Sequence, residues 1–299
     1  MCFKPRSLLV LFVFLAVTSS AIAGGPPRGP STQLEGGIQF CEISLTGAAP
    51  GQTMKLWLYL PPGTHSKGSL ACVFIAPGGT NLITGNILGD GDRPEHLPYV
   101  KAGFAVVGYE LDGAYVKRDR DGMFPRIKQF IDAEGGVANA RAAIDYVLAQ
   151  VPEVDVNRLY AAGHSSAGTV ALDVIAMEPR IKGGCAYAPC PNIRQRLTTE
   201  RVKIYDTGVP GVADFVDHYS PTAFVQSLAS TPLLLFSAKD DINIRYPLVR
   251  DFADQIVRAG AKSCKLVTAE RGGHYQSMIE QGVPAGVAFL KNIGDQPQH

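Results

Sequence analysis

The stretch Leu159-Tyr160-Ala161-Ala162-Gly163-His164-Ser165-Ser166-Ala167-Gly168 constrains this chain more than any other. An apolar strand pattern runs into a small-x-Ser-x-small turn, and a helical pattern follows. A turn that takes a chain so abruptly from strand to helix has no room for large flanking side chains, and Gly163 and Ala167 occupy those flanks. The serine at its apex, Ser165, carries an exposed Oγ, and its backbone sits at a helix N-terminus. Ser166 is the alternative apex, but choosing it puts His164 at a flank that must be small. A serine held this way attacks a carbonyl carbon when a histidine and a carboxylate are brought to it.

The remaining pattern predicts an α/β protein. Strands are expected at Ile38 to Leu45, Met54 to Leu60, Leu70 to Ala76, Phe104 to Tyr109, Leu159 to Ala162, Lys182 to Ala188, Pro232 to Phe236 and Lys265 to Ala269. Helices are expected at His96 to Ala102, Gly136 to Val151, from Ser166 onward, at Tyr246 to Ala259 and at Pro284 to Ile293. Continuous apolar runs such as Leu70-Ala71-Cys72-Val73-Phe74-Ile75-Ala76 suit strands buried on both faces of a parallel sheet. Alternation with helices implies right-handed crossovers and a mostly parallel central sheet with helices on both faces. The first two strands, with no helix between them, are expected to be antiparallel and at an edge. Residues 190–221 are polar and mixed in charge; they are read as an insertion over the top of the sheet, either a lid, part of a substrate wall, or ordinary surface.

Reactive groups in such a sheet gather beyond the C-terminal strand ends. Asp240, in Ser237-Ala238-Lys239-Asp240-Asp241, is the expected acid, because it is the first carboxylate after its strand; Asp241 is the alternative. His274, in Gly272-Gly273-His274-Tyr275, follows the last strand, where the two glycines permit a sharp loop. The histidines at 65, 96, 218 and 299 fit that role poorly, and His164 is expected to pack or hydrogen-bond locally. The oxyanion needs two backbone donors. The Ser166 N–H is one, and Gly79 in Pro77-Gly78-Gly79-Thr80 is the expected other, with Thr80 second. Two acidic loops, Asp119-Arg120-Asp121-Gly122 and Gly89-Asp90-Gly91-Asp92, lack a full set of calcium ligands. No cofactor or metal is expected.

Residues 1–23 read as a secretory signal: Lys4 and Arg6, an apolar run from Ser7 to Val17, and Ala21-Ile22-Ala23 before a cleavage point at Gly24. The alternative is an N-terminal anchor, for which the run is short. Gly24 to Gly37 is then a flexible leader, residues 38–293 a single catalytic domain, and 294–299 a tail. Losing Lys4 and Arg6 takes 28 basic residues to 26, against 27 acidic ones, so the exported chain is nearly neutral. That charge excludes nucleic acid as an expected partner, and no stable membrane insertion of the mature protein is expected. Five cysteines remain, an odd number, so at least one is unpaired; Cys185 and Cys190 are close enough to pair, and Cys72 is expected to be a buried small hydrophobe.

Together these residues resemble the α/β-hydrolase superfamily from about Ile38 to Ile293, and within it the dienelactone-hydrolase and prolyl-oligopeptidase-type branch. The resembling stretches are Leu58-Tyr59-Leu60-Pro61-Pro62-Gly63, Val154-Asp155-Val156-Asn157-Arg158-Leu159 before the Ser165 turn, Tyr219-Ser220-Pro221 before Thr231-Pro232-Leu233-Leu234, Lys239-Asp240-Asp241, and Gly272-Gly273-His274-Tyr275. Ala167 stands where many members have Gly, and Pro77-Gly78 where many have His-Gly. The resemblance implies an α/β-hydrolase fold and a triad of Ser165, Asp240 and His274. With the signal segment, the reading is an exported serine hydrolase that cleaves esters through an acyl-enzyme, on small-molecule ester or short peptide substrates. An ester is preferred to a peptide because large oligopeptidases of this kind gate access with an N-terminal propeller, whereas the residues before Ser165 are used up by the sheet. A peptidase reading needs a carboxylate for the substrate amine, for which Glu110 or Asp112 is available. A third reading is a binding protein on a hydrolase fold that has lost activity.

Overall fold

The structure is a computed structural model that describes residues 25–115 and 122–294. The expected signal segment, Asp119 to Asp121 and residues 295–299 lie outside the described residues. Nine strands form one sheet: β1 (Thr32–Gln33), β2 (Gln39–Thr46), β3 (Thr53–Leu60), β4 (Leu70–Ile75), β5 (Ala105–Tyr109), β6 (Val154–His164), β7 (Ile181–Tyr187), β8 (Leu233–Ala238) and β9 (Cys264–Ala269). Their spatial order is β1-β2-β3-β5-β4-β6-β7-β8-β9. The strands β1, β2 and β3 are antiparallel to their neighbours, and every pairing from β5 to β9 is parallel. Ten helices surround the sheet among the described residues: α1 (Arg93–Lys101), α2 (Met123–Asp132), α3 (Val137–Gln150), α4 (Ser166–Met177), α5 (Ile193–Arg196), α6 (Thr199–Gly208), α7 (Val212–His218), α8 (Val225–Ala229), α9 (Tyr246–Arg258) and α10 (Val283–Gly294). This is an α/β-hydrolase fold. None of these helices is long and apolar enough to cross a membrane.

The alternation of side chains along each strand produces two cores, one on each face. On one face Leu56, Phe74, Val107, Leu159, Ala161 and Leu235 pack under α2, α3, α4 and α9, with Ile144, Val170 and Phe252 fully or nearly fully buried. On the other, Tyr59, Val73, Val106, Tyr160 and Phe236 pack under α1 and α10, against Tyr99, Val100 and Leu290. Strands buried on both faces favour apolar residues on both, which is why β4 and the Leu233–Phe236 part of β8 show no alternation.

The strand order reverses at β4. The next strand in sequence, β5, lies on one side of it and β6 lies on the other. The loops leaving β4 and β6 therefore part in opposite directions and leave a crevice at their C-terminal ends, where open sheets bind ligands.

Three parts of the chain differ from the sequence expectation. Within the expected leader, Thr32–Gln33 add an antiparallel edge to β2, and Arg28 pairs with Glu153 at 3.0 Å. The edge strand is two residues long and solvent-exposed, so no hydrophobic alternation marks it. The helix α2 was not expected; its apolar face buries Ile127 and Phe130. Residues 190–221 are mostly helical (α5, α6 and α7), built on Ile193, Val202, Val212, Phe215 and Val216. Cys185 and Cys190 are unpaired: the Cys185 thiol lies against the Gly286 carbonyl and the Cys190 thiol against that of Asn192. Cys72 is fully buried, as expected.

The packing constraint at the serine turn is at Gly163. A Cβ there would stand 2.3 Å from the Ala167 carbonyl oxygen and 2.5 Å from its carbon, both backbone atoms that cannot swing aside. Gly163→Val is expected to destabilise the fold by about 3 kcal/mol or more, the upper range for overpacking, measured by urea unfolding; a loss under about 1 kcal/mol would show that the turn tolerates a side chain.

Candidate active site

Ser165 sits between β6 and α4 with φ 58° and ψ −122°, a backbone conformation that a non-glycine residue adopts only when its surroundings impose it. The imposition is visible. The Ser165 N–H donates to the Tyr187 carbonyl at 2.8 Å, extending the β6–β7 ladder one residue past the strand, and α4 begins at the next residue.

His274 is brought to this serine. Its Nε2 lies 2.9 Å from Ser165 Oγ, and its Nδ1 lies 2.7 Å from Asp241 Oδ2. The partner of the imidazole is therefore Asp241, and the expectation of Asp240 is corrected. Asp240 instead accepts hydrogen bonds from the backbone N–H groups of Gly272 (3.1 Å) and Gly273 (2.9 Å). The reason is local. The strand β8 continues two residues beyond Phe236, to Ala238, and the chain then turns, with the Asp241 N–H donating to the Ala238 carbonyl at 3.2 Å. That turn directs Asp240 outward and Asp241 inward. Asp241 Oδ1 accepts from the N–H groups of Asn243 and Ile244, which leaves Oδ2 for the imidazole. An Asx-turn of this kind, Asp followed two residues later by Asn243, is the signal that separates the two carboxylates.

Burial pushes the Asp241 carboxyl up, but the His274 hydrogen bond, the attraction of that ring and the two backbone donors outweigh it and hold the group below the usual carboxylate range. The imidazole itself is only 16 % exposed. His164 supports it from below: its Nε2 is 2.9 Å from the His274 carbonyl oxygen, the two rings lie 4.6 Å apart, and Glu95 faces its Nδ1 at 3.6 Å. The remaining described histidines are elsewhere, with His65 on the Pro61 carbonyl, His218 on the Asp214 carbonyl, and His96 buried against Trp57 and Tyr59.

The loop after β4 closes the other side. Gly79 (φ 83°) and Ser166 line the same pocket as Ser165 and His274. The Thr80 N–H donates to Ser166 Oγ at 3.0 Å, so it is occupied, and the Ser166 side chain ties this loop to the serine turn. Asn86 holds the loop from behind, donating to the Gly78 carbonyl at 2.6 Å. The 190–221 segment supplies Cys190 and Arg196 to the pocket wall; Thr169 Oγ1 accepts from the Cys190 N–H and donates to its carbonyl, clipping that segment to α4. Glu110 and Asp112 lie outside the pocket. Both are buried, and their oxygens accept backbone N–H groups of Lys55 and Leu88, and of Ala49. Sequence reasoning did not find Arg196, Asn243 or Leu82, which also line the pocket; none lies in a motif, and each is placed by tertiary folding alone.

Residues 132–292, more than half of the chain, match the prolyl oligopeptidase family. The chain belongs to the prolyl oligopeptidase family. It is a serine hydrolase of that esterase and peptidase group. Among solved structures, an acetyl xylan esterase from Paenibacillus sp. R4 is 17% identical over 89% of each chain, with a TM-score of 0.65. An esterase from Thermogutta terrifontis is 18% identical, covering 86% of this chain and 96% of that one, with a TM-score of 0.62. The Pyrococcus horikoshii acylaminoacyl peptidase is 12% identical with a TM-score of 0.65; it covers 87% of this chain, which spans 42% of the peptidase. No curated protein matches the sequence.

Beneath the site, Asp173 on α4 is buried with no partner for Oδ1, in a small cavity bordered by Ser166, Phe215 and Tyr219. Desolvation pushes its carboxyl well above the usual range, opposite to Asp241. A raised acid costs stability as pH rises above the unfolded carboxylate value; a depressed one contributes stability there and loses it as pH falls through its folded value. At pH 7, Asp173→Asn is therefore expected to raise stability and Asp241→Asn to lower it, with both differences shrinking as pH falls below the ordinary value near 3.8. Denaturation midpoints of the three proteins across pH 3–7 check this; a destabilised Asp173→Asn at neutral pH would contradict it.

Proposed function

We propose that this family member is an exported carboxylic ester hydrolase working through an acyl-enzyme on Ser165. The observation that carries the reading is the unbroken hydrogen-bond chain from Ser165 Oγ through the His274 ring to Asp241. In this reading His274 Nε2 takes the Ser165 proton as Oγ attacks the ester carbonyl. Asp241 fixes the tautomer with the proton on Nδ1 and stabilises the imidazolium that forms. The N–H groups of Gly79 and Ser166 receive the oxyanion. His274 then gives its proton to the departing alcohol, and later activates the water that releases the acid.

The wall of the pocket favours an ester over an aminoacyl substrate. The described residues that line it include Arg196 and no carboxylate to hold a substrate amine. Glu110 and Asp112 have their oxygens committed to backbone donors elsewhere. The two neighbouring esterases cited above are matched over nearly their whole length. Export rests on the signal-like residues 1–23 of the sequence.

A panel of p-nitrophenyl acyl esters and aminoacyl p-nitroanilides tests the substrate class. Esters are expected to be the better substrates, and a clear preference for anilides overturns the choice. On the preferred ester, Asp241→Asn is expected to lower kcat by roughly 10³- to 10⁴-fold, the range for losing the orienting carboxylate of such a triad. Asp240→Asn is expected to cost less than about tenfold, since it loosens a loop rather than the tautomer. The reverse order would restore Asp240 as the acid. The wild-type rate is expected to climb from acid toward neutral pH because the base must be unprotonated; a profile flat from about pH 5 to 9 counts against a histidine base.

A further inference from the structure

We propose that Arg196, with Arg245 behind it, forms an anion-binding subsite beside the nucleophile, and that it selects ester substrates carrying a carboxylate. This rests on the esterase reading above and names the substrate class for the same site.

The pocket that holds Ser165 and His274 is walled by Cys190, Arg196, Asn243 and Ile244. The same four residues are the near wall of a second depression, which continues outward to Arg245 and Leu248. The two are therefore one cleft running away from the serine. Its described lining holds two arginines and no aspartate or glutamate.

The two arginines of α5 are used differently. Arg194 is taken up by Asp217, through both its Nε and a terminal nitrogen. Among the described residues Arg196 makes one long hydrogen bond, 3.4 Å to the Asn243 carbonyl, which leaves most of its planar fork available to them. A guanidinium in that state matches a carboxylate with two parallel hydrogen bonds. Arg196 is itself exposed, and Leu82 and Ile244, both buried, give the same pocket an apolar floor beside the guanidinium. Ile242, 90 % exposed at the lip of the outer depression, offers an apolar contact to whatever carries the charge.

Arg196 is also held in place. Asn192 caps the short helix by accepting the Arg194 N–H, and the Ile193 N–H donates to Ser220 Oγ at 2.9 Å. With Thr169 clipping Cys190 to α4, the arginine is presented from a segment tied to the same helix that carries the serine turn.

The test compares matched esters on the wild-type enzyme. One pair places the charge on the acyl side, 4-nitrophenyl hydrogen glutarate against 4-nitrophenyl valerate. The other places it on the alcohol side, 3-carboxy-4-nitrophenyl butyrate against 4-nitrophenyl butyrate. Each kcat/KM is divided by the hydroxide-catalysed rate of the same ester. The anionic member is expected to be preferred by about threefold or more in at least one pair, the scale of an exposed ion pair. That preference is expected to fall as sodium chloride is raised toward about 1 M. In Arg196→Gln the anionic-to-neutral ratio is expected to drop by about threefold or more, with part of it retained in Arg196→Lys and a smaller drop in Arg245→Gln. An enzyme that cleaves the neutral esters with no anionic preference in either pair overturns the subsite and leaves the esterase reading standing. A preference that is unchanged in Arg196→Gln also overturns it. Failure to cleave any of the four esters overturns the esterase reading, and the subsite with it.

Discussion

The arrangement depends on holding one imidazole over one hydroxyl, when the loop that carries the ring begins two glycines earlier and has little reason to stay. Three contacts fix it. Asp241 takes Nδ1, Asp240 takes the N–H groups of Gly272 and Gly273, and His164 meets the His274 carbonyl. Adjacent carboxylates thus divide the work, one setting the ring and the other setting the backbone that bears it. A charge-assisted hydrogen bond contributes on the order of 1.5–3 kcal/mol, comparable to the entropy of ordering a residue or two. Asp241, buried, makes such a bond to the ring, and the exposed Asp240 and the His164 contact add weaker ones to the backbone that bears it.

The serine is fixed by packing instead. Gly163 and Ala167 meet backbone to backbone, and the Ser166 side chain ties the turn to the loop after β4. Both loops issue from strands buried on both faces, so the two cores hold the strand ends in register. A rigid serine and a tethered histidine explain how residues 109 positions apart come within 2.9 Å.

The fold was readable because its determinants are local and repetitive. Continuous apolar strands, amphipathic helices and one small-x-Ser-x-small turn each carry their own signal, and the family match over 132–292 falls within the residue range of the resemblance. The meeting of Ser165 and His274 was readable for the same reason: each sits in a glycine-marked turn. The carboxylate that meets the His274 ring was expected to be Asp240 because proximity to a strand end ranks it first, while the outcome is decided by how far β8 runs and by an Asx-turn at Asp241. The substrate wall was least legible. Arg196 reaches the pocket only through the packing of Ile193 and Ser220 and the Thr169–Cys190 clip, contacts between segments with no sequence periodicity to reveal them.

The most direct test of the central claim is covalent labelling. Wild-type protein treated with a fluorophosphonate and mapped by peptide mass spectrometry is predicted to carry the phosphonyl group on Ser165 alone, with His274→Ala labelled far more slowly. An unlabelled wild-type protein, or a group found on Ser166 or any other serine, would contradict the account.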